Sequence, residues 1–384
     1  MGGSAGHINH ITECFDFTFG EIKDIILRVS AGKMRGVSVK CDGQNLVFSV
    51  SHCGVRVARN KSEIISGGLT REELTSKFDG RGPIQDAFVS AFNVLSKAFL
   101  DVSDDVIKNV FANGCRFYSI EVIYGPAKNV IEYDGNHVIF HDTPVFEVID
   151  KEIVSVNYHP NFPDNVEIDG WTLHRPFHVC LKQLDNDVVQ RTLSKINNLI
   201  GDVECSNEDT LLDYLKICVL KDARRDLLLA PVVAAHVTNR IVKDDNALSL
   251  TEIKKMLPKT QQTQVSEYVK NVGPQLVQKY VEPFDVVIKD FSFEVLKHVQ
   301  PALVCDHEWE TNRIKDALRD IIKEMRQTED VKAKVFVEKE TTNFNIDNTL
   351  PVEGIVFNCF GKMLKLTANF GRVNKIMGFY RYAR

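Results

Sequence analysis

No run of about 18 apolar residues occurs in the 384-residue chain, so nothing in it is long and apolar enough to span a bilayer as a helix. The N-terminal stretch MGGSAGHINHITE lacks the basic-then-apolar order of a secretory leader. Gly2 is followed at position six by Gly6, where acylation of an N-terminal glycine wants Ser or Thr. Cys-x-x-Cys pairs are missing too. The nine cysteines are scattered singly, which fits reduced thiols and a cytoplasmic setting. There is no excess of positive charge: the net charge is −5, so a nucleic-acid partner would have to meet a local basic groove. No internal repeat or low-complexity tract interrupts the chain. What remains, 44% hydrophobic and 26% charged, is the composition of a globular chain of one large domain or two.

The hydrophobic pattern changes along the chain. Between 35 and 60 it alternates: Val37 and Val39, then Leu46, Phe48 and Val50, then Val55 and Val57. Period two predicts half-buried antiparallel strands, with CDGQ and SHCG as turns whose glycines tolerate positive φ. Residues 83–112 carry apolar residues at helical spacing and stop at Asn-Gly. Strand character returns in CRFYSIEVIYG and HVIFHDTPVFEVID. From about 185 to 335 the pattern is mostly helical, and AKVFVEK and VEGIVFNCFGKMLKLT turn β-like again. The expected organisation is a β-rich domain, 1–180 and 340–384, interrupted by a domain-sized helical insertion over 181–339.

Within RGVSVKCDGQNLVFSV, a strand over 37–41 puts Val37, Val39 and Cys41 on one face and Ser38 and Lys40 on the other. Taken alone, Lys-x-Asp-Gly also describes a solvated lysine beside a turn. A lysine becomes a nucleophile only when its surroundings favour the neutral amine. Downstream stand Arg59 in VARNK, Glu121 in FYSIEVIYG, Phe140 in VIFHD, Glu353 in PVEGIVF and Lys365 in KMLKLT.

This succession resembles the covalent nucleotidyltransferase superfamily: ATP-dependent DNA and RNA ligases and mRNA capping enzymes. The likeness covers 35–150 and 345–370. KCDGQN, ending in Asn45, is closest to the RNA ligases of phage and RNA-editing type. The resemblance implies an α+β fold: a ligase adenylation domain of antiparallel sheets with flanking helices, here with a helical insertion. It also implies ATP and Mg²⁺ (or Mn²⁺) as cofactors, and a nucleic acid with 5′-phosphate and 3′-hydroxyl ends, RNA favoured, as partner. Lys40 would form a phosphoramidate with AMP. Glu353 and Glu121 would hold the ribose or the metal. Lys365 would neutralise the α-phosphate and depress the pKa of Lys40, and Arg59 would grip the ribose or a phosphate. Asp42, Gly43 and Asn45 complete the nucleotide-binding set, and Phe140, or in competition Phe146, would stack on the base.

The chain departs from the family pattern in several places. Lys365 is followed by Thr367 where a second lysine is usual, which leaves Lys362 or Lys375 to substitute. Val39 stands where the RNA ligases often carry Glu. With 19 residues after Lys365, the C-terminal OB-fold that DNA ligases and capping enzymes carry is not expected here. His7, His10 and His159 lack the further ligands that a zinc site needs. GGLTREELTSKFDGRG, 67–82, lacks the Lys-Ser/Thr of a phosphate loop and is expected to be a glycine-bounded short helix. The tail mixes Arg372, Lys375, Arg381 and Arg384 with Phe370, Phe379 and Tyr380, which suits either a nucleic-acid track or a packed helix. Arg224, Arg225, Lys254 and Lys255 would let the insertion grip a polynucleotide. A polynucleotide ligase is the leading expectation. A nucleotidyltransferase acting on another acceptor and a catalytically silent nucleic-acid-binding module are the alternatives.

Overall fold

The computed structural model describes residues 8–127, 129–156, 158–223, 236, 249–342 and 344–382. It is an α+β structure of two compact units, each built from separate stretches of chain. Among the described residues the first unit holds Ile8, 35–180 and 299–382, and the second holds 9–34 and 181–298. Residues 299–339 thus group with the β-rich unit and 9–34 with the helical one. In the second unit, helix Phe19–Ser30 begins with a capping box, in which Thr18 accepts from the Glu21 N–H and Glu21 reaches back. Its Phe19 stacks on Phe284 with ring centroids 5.5 Å apart, and helices Asn186–Gly201 and Leu211–Ala223 lie in the same unit. Among the described residues no helix is long and apolar enough to cross a membrane. None of the nine cysteines is in a disulfide.

The first unit carries two sheets. Its strands are β1 Ser38–Lys40, β2 Gln44–Ser51, β3 Gly54–Ala58, β4 Arg116–Ile123, β5 Asn136–Ile149, β6 Glu152–Val156, β7 Val166–Ile168, β8 Trp171–His174, β9 Gly354–Cys359 and β10 Lys362–Leu366. The larger sheet runs β3–β2–β4–β5–β8–β7, with β6 also paired to β5; only β5 and β8 are parallel. In the smaller sheet β9 pairs antiparallel with β10 on one side and β1 on the other. The sequence suggests a hairpin across CDGQ, yet β1 and β2 belong to different sheets. Residues 41–43 are a crossover, and Gly43 has no positive φ, whereas Gly54 in the β2–β3 turn does.

One face of the large sheet forms the main core. Phe48, Tyr118, Ile120 and Phe140 pack there against Phe88, Phe92 and Leu95 of α1, Pro83–Ala98. Helix α1 starts with proline in its first turn, where a missing N–H costs nothing. The helical pattern expected to continue to 112 breaks after Ala98 and restarts at Asp104, where Ser103 caps a second short helix. Residues 71–77 are the expected short helix between glycines. Along the other face Val47 and Phe117 form a small cluster, and the same face continues into the polar residues Asn45, Ser119 and Glu121.

A second core joins α2 (His307–Gln327), α3 (Val331–Thr341) and α4 (Phe370–Tyr382) to Val130 and Ile131. AKVFVEK, β-like in sequence, is part of α3: Asp330 caps it and Ala333 and Val337, four apart, are its buried residues. Cooperative packing on α2 overrides its β-branched propensity. The tail forms the packed helix α4. Phe379 stacks on Phe336 at 4.2 Å, Arg372 donates to the Thr342 carbonyl, and Lys375 pairs with Glu340. In the second unit Lys254 and Lys255 close the short helix Leu250–Lys255, where cations suit the helix C-terminus. Arg224, Arg225 and Arg384 lie outside the described residues, as does His7.

Candidate active site

Between the two sheets of the first unit lies a cleft of about 520 Å³, within the range of small-molecule sites. Lys40, Asp42, Gly43, Asn45, Arg59, Glu121, Glu353 and Lys365 all line it. Phe140 does not. Its register partner is Ile120, so it shares the core face with Phe48 and stacks on Phe162. Phe146 is buried in the small cluster beside Phe117. Among the described residues no Phe, Tyr or Trp lines the cleft; its aromatic rings are the imidazoles of His141 and His159. Neither Lys362 nor Lys375 lines it, so Lys365 has no second lysine from those positions.

The small sheet supplies one wall. Strand alternation buries Val37, Val39 and Cys41 and leaves Ser38 and Lys40 half-buried. Lys40 sits opposite Gly354 in the β1–β9 register, which brings its Nζ 2.7 Å from Glu353 Oε2. The two side chains are 21% and 19% exposed, so the pair is open to the cleft yet largely desolvated. Gly354 answers why a glutamate is followed by glycine here. A Cβ at that position would lie 2.8 Å from Thr367 Cγ2 and closer still to the Leu366 backbone. Glycine therefore lets β9 press against β10 directly after Glu353.

The large sheet supplies the other wall. Asn45 and Glu121 are register partners on β2 and β4. Glu121 engages both carboxylate oxygens: the Gly43 N–H donates to Oε1 (3.1 Å), and His141 Nε2 lies 3.3 Å from Oε2. Gly43 is required by proximity, since a Cβ would lie 2.7 Å from Glu121 Cγ. Arg59, just after β3, rests over the Phe88 ring at 4.8 Å, with its backbone N–H donating to Glu63 Oε2. Burial lowers the pKa of its guanidinium, assisted by nearby Arg81.

Asp42 stands at the joint between the walls. Its Oδ2 accepts from the backbone N–H of Val130 (2.7 Å) and Ile131 (3.4 Å), and its own N–H donates to Tyr133 Oη at 2.7 Å. Burial, then the charge of Glu353, pushes its pKa up to about 7 against the pull of those two N–H groups. For Lys40, burial favours the neutral amine. The carboxylates of Glu353, Glu121 and Asp42 outweigh it, and its pKa is raised. The sequence expectation that Lys365 would leave Lys40 with a depressed pKa is thus reversed, because three acids surround the amine. Burial raises the pKa of Glu353, with Lys40 opposing.

Comparison with known proteins finds no match for this chain among family models, curated proteins or solved structures. The site therefore stands on its own geometry. It sets a lysine beside an acid able to exchange a proton with it, in a cleft edged by further cations and fixed hydrogen-bonding groups. Among the described residues no group of three or more His, Cys, Asp or Glu is disposed to hold a metal ion. His141 was legible only as a neighbour: in VIFHD the next residue after Phe140 faces the cleft, and a one-residue step along a strand reverses the face. The buried contact of His137 Nδ1 with His174 Nε2, 3.1 Å, lies away from the cleft and had no signal in the sequence.

Proposed function

We propose that this cleft performs nucleotidyl transfer through Lys40, as an ATP-dependent RNA ligase of the covalent nucleotidyltransferase type. The observation that carries the reading is the meeting of Lys40 and Glu353. They lie 313 residues apart in sequence and 2.7 Å apart in space. The same cleft gathers Arg59, Glu121 and Lys365, the residues the family pattern selects.

Lys40 rests as an ammonium ion, so it must shed a proton before it can attack. Glu353 is the acceptor: it is in contact, and its raised pKa makes it a better base than an ordinary carboxylate. The neutral Nζ then attacks the α-phosphorus of ATP. A P–N bond forms, the bond to the bridging oxygen breaks, and pyrophosphate leaves. A 5′-phosphate oxygen of the nucleic acid next displaces Lys40 from the AMP phosphorus. Finally a 3′-hydroxyl attacks the activated 5′-phosphate, and AMP is released. Lys365 and Arg59 offset the charge on the phosphates, and Asn45 and Glu121 present fixed polar groups to the nucleotide.

The donor set fits a metal ion carried in with the triphosphate. Mg²⁺ prefers one or two carboxylates plus phosphate and water oxygens. Glu353 is the acid that fits, since Glu121 has both oxygens engaged by protein donors. When bound, Mg²⁺ (or Mn²⁺) supplies positive charge to the phosphate oxygens.

The test is incubation with α-labelled ATP and, separately, GTP, followed by a denaturing gel. Label retained on the native chain and lost from Lys40→Arg is the expected result. No labelling by either nucleotide would sink the proposal. Labelling with no joining of RNA ends would move the acceptor elsewhere.

A further inference from the structure

We infer that residues 129–134, NVIEYD, are a strap that positions the nucleophile, with Tyr133 and the Glu310–Arg313 pair as its positioning residues. The inference deepens the nucleotidyl-transfer reading and takes Lys40 as the reacting group from it. The strap is a loop with two attachments, one to the nucleophile turn and one to the helical core.

Toward the turn, three hydrogen bonds converge on Asp42, two residues from Lys40. The Val130 and Ile131 N–H groups donate to its carboxylate, and Tyr133 Oη accepts from its backbone N–H. Residues 41–43 leave the small sheet for the large one, so no ladder holds them from both sides. The strap supplies that missing support. The Asp42 side chain accepts from the strap's backbone at Val130 and Ile131, and the Asp42 backbone donates to the strap's Tyr133 side chain, which fixes the direction of the crossover as well as its position.

Toward the core, Val130 and Ile131 are buried among Ile314, Leu318 and other residues of α2 and α4. Glu310 of α2 is 1% exposed, and an acid that deep needs a reason. Its Oε1 accepts the Glu132 N–H at 2.8 Å, and the Arg313 guanidinium grips both of its oxygens at 2.6 Å. The same guanidinium donates to the Val130 carbonyl at 2.7 Å and faces Glu132 Oε1 at 3.2 Å. Further along, the Asp134 N–H donates to the Leu303 carbonyl, and Arg381 of α4 reaches the Asn129 carbonyl at 3.5 Å. A bidentate arginine–carboxylate pair resists reorientation, so α2 acts as a fixed anchor. The path runs α2, Glu310–Arg313, strap, Asp42, Lys40.

Two variants of the full chain test it. Tyr133→Phe removes one oxygen and leaves the ring; Glu310→Gln keeps the shape and removes the charge. Each is read for the rate of label transfer at saturating ATP, for the nucleotide dissociation constant and for melting temperature. Misplacing a reacting group by about 1 Å costs up to about 100-fold. The expected result is a rate at least about tenfold lower with the dissociation constant within about twofold of native. A second readout does not depend on nucleotidyl transfer. Trace acetic anhydride is applied across a pH series, and acetylation of Lys40 is measured by mass spectrometry relative to Lys297, an exposed lysine of the second unit. A shifted pH profile for Lys40 in both variants is expected. Native rate and native acetylation profile, with only a lower melting temperature, would overturn the strap and leave it a packing feature. Should native protein accept no label, the nucleotidyl-transfer reading fails and acetylation alone decides the strap. If Glu310→Gln does not fold, Tyr133→Phe decides.

Discussion

The two walls of the cleft use glutamate in opposite ways. Glu353, beside the small sheet, bonds a side chain, the Lys40 ammonium, through one oxygen and is about one-fifth exposed. Glu121, on the large sheet, is buried and held at both oxygens by Gly43 and His141. The first can give up its partner and take a proton or a cation. The second is locked, which suits a hydrogen-bonding fixture. One wall is thus arranged to react and the other to hold. The difference comes from what each strand places alongside: β1 brings a lysine opposite Gly354, whereas the crossover brings a backbone N–H against Glu121.

The largest effect that would separate the walls is removal of the reacting group. Lys40→Arg keeps the positive charge beside Glu353 but removes the amine, so label transfer should vanish while melting temperature holds. Lys40→Ala should lose transfer and also stability, because it strands buried acids. Breaking a largely desolvated pair costs about 1–3 kcal/mol, less than the figure for full burial. Part of that loss should return at lower pH, where the stranded Glu353 takes up a proton. Label on Lys40→Arg would place the chemistry on another residue.

The next comparison sets acid against acid. Glu353→Gln removes the proton acceptor and should slow transfer by about 100-fold or more. In that variant Lys40 also loses its nearest negative charge, so the rising limb of its pH–rate profile should move to lower pH. Glu121→Gln still accepts from the Gly43 N–H, and a loss of about tenfold is expected, with a smaller move in the same direction, because Glu121 is the second of the charges that hold Lys40 protonated. Equal losses and unmoved profiles in both would erase the distinction between the walls.

The sequence displays one wall better than the other. Alternation over 37–41 orients Lys40 correctly, and Glu-Gly at 353–354 marks a close approach that the structure explains through Thr367 and Leu366. Two features were hidden because they depend on distant chain. The turn after Lys40 looks like a hairpin locally, and only the pairing of β1 with β9 makes it a crossover. Phe140 is aromatic and in the expected segment, but its register opposite Ile120 sends it into the core. Helical periodicity over 185–335 was equally silent about partnership. The buried stripe of α2 meets Val130 and Ile131, while Phe19 meets Phe284 in the other unit. Periodicity tells a helix which face to bury and says nothing of what will cover it.

His141 tests the holding wall directly. It is one of two rings in the cleft, and it also steadies Glu121. Stacking of a base on a ring is worth about 1–3 kcal/mol. His141→Ala should therefore raise the nucleotide dissociation constant by about tenfold, with a smaller change in the rate at saturation. His141→Phe keeps a stacking face without the hydrogen bond, and should recover most of the binding. Recovery by Phe separates a stacking role from support of Glu121; no recovery assigns His141 to the support.

The smallest effect is expected at the joint between the walls. Asp42 has a pKa of about 7 in the folded chain, against about 3.9 for an unperturbed aspartate. Between those values the folded state holds a proton that the unfolded state has released. Stability therefore falls as pH rises across this window, since the native form binds more protons. Burial and the Glu353 charge cause the shift, while the Val130 and Ile131 N–H groups favour the ionised form and limit it. Asp42→Asn keeps an oxygen for those two donors and has nothing to titrate. Near pH 4 the variant and the native chain should melt within a degree or two, because a protonated aspartic acid and asparagine are alike in shape and charge. By pH 8 the native chain should have lost ground to the variant by on the order of a few degrees. The sign follows from the raised pKa: a carboxylate whose pKa fell on folding would reverse it. A melting-temperature difference that stays flat from pH 4 to 8 would mean that Asp42 is ionised throughout, its charge carried by the strap and by Lys40.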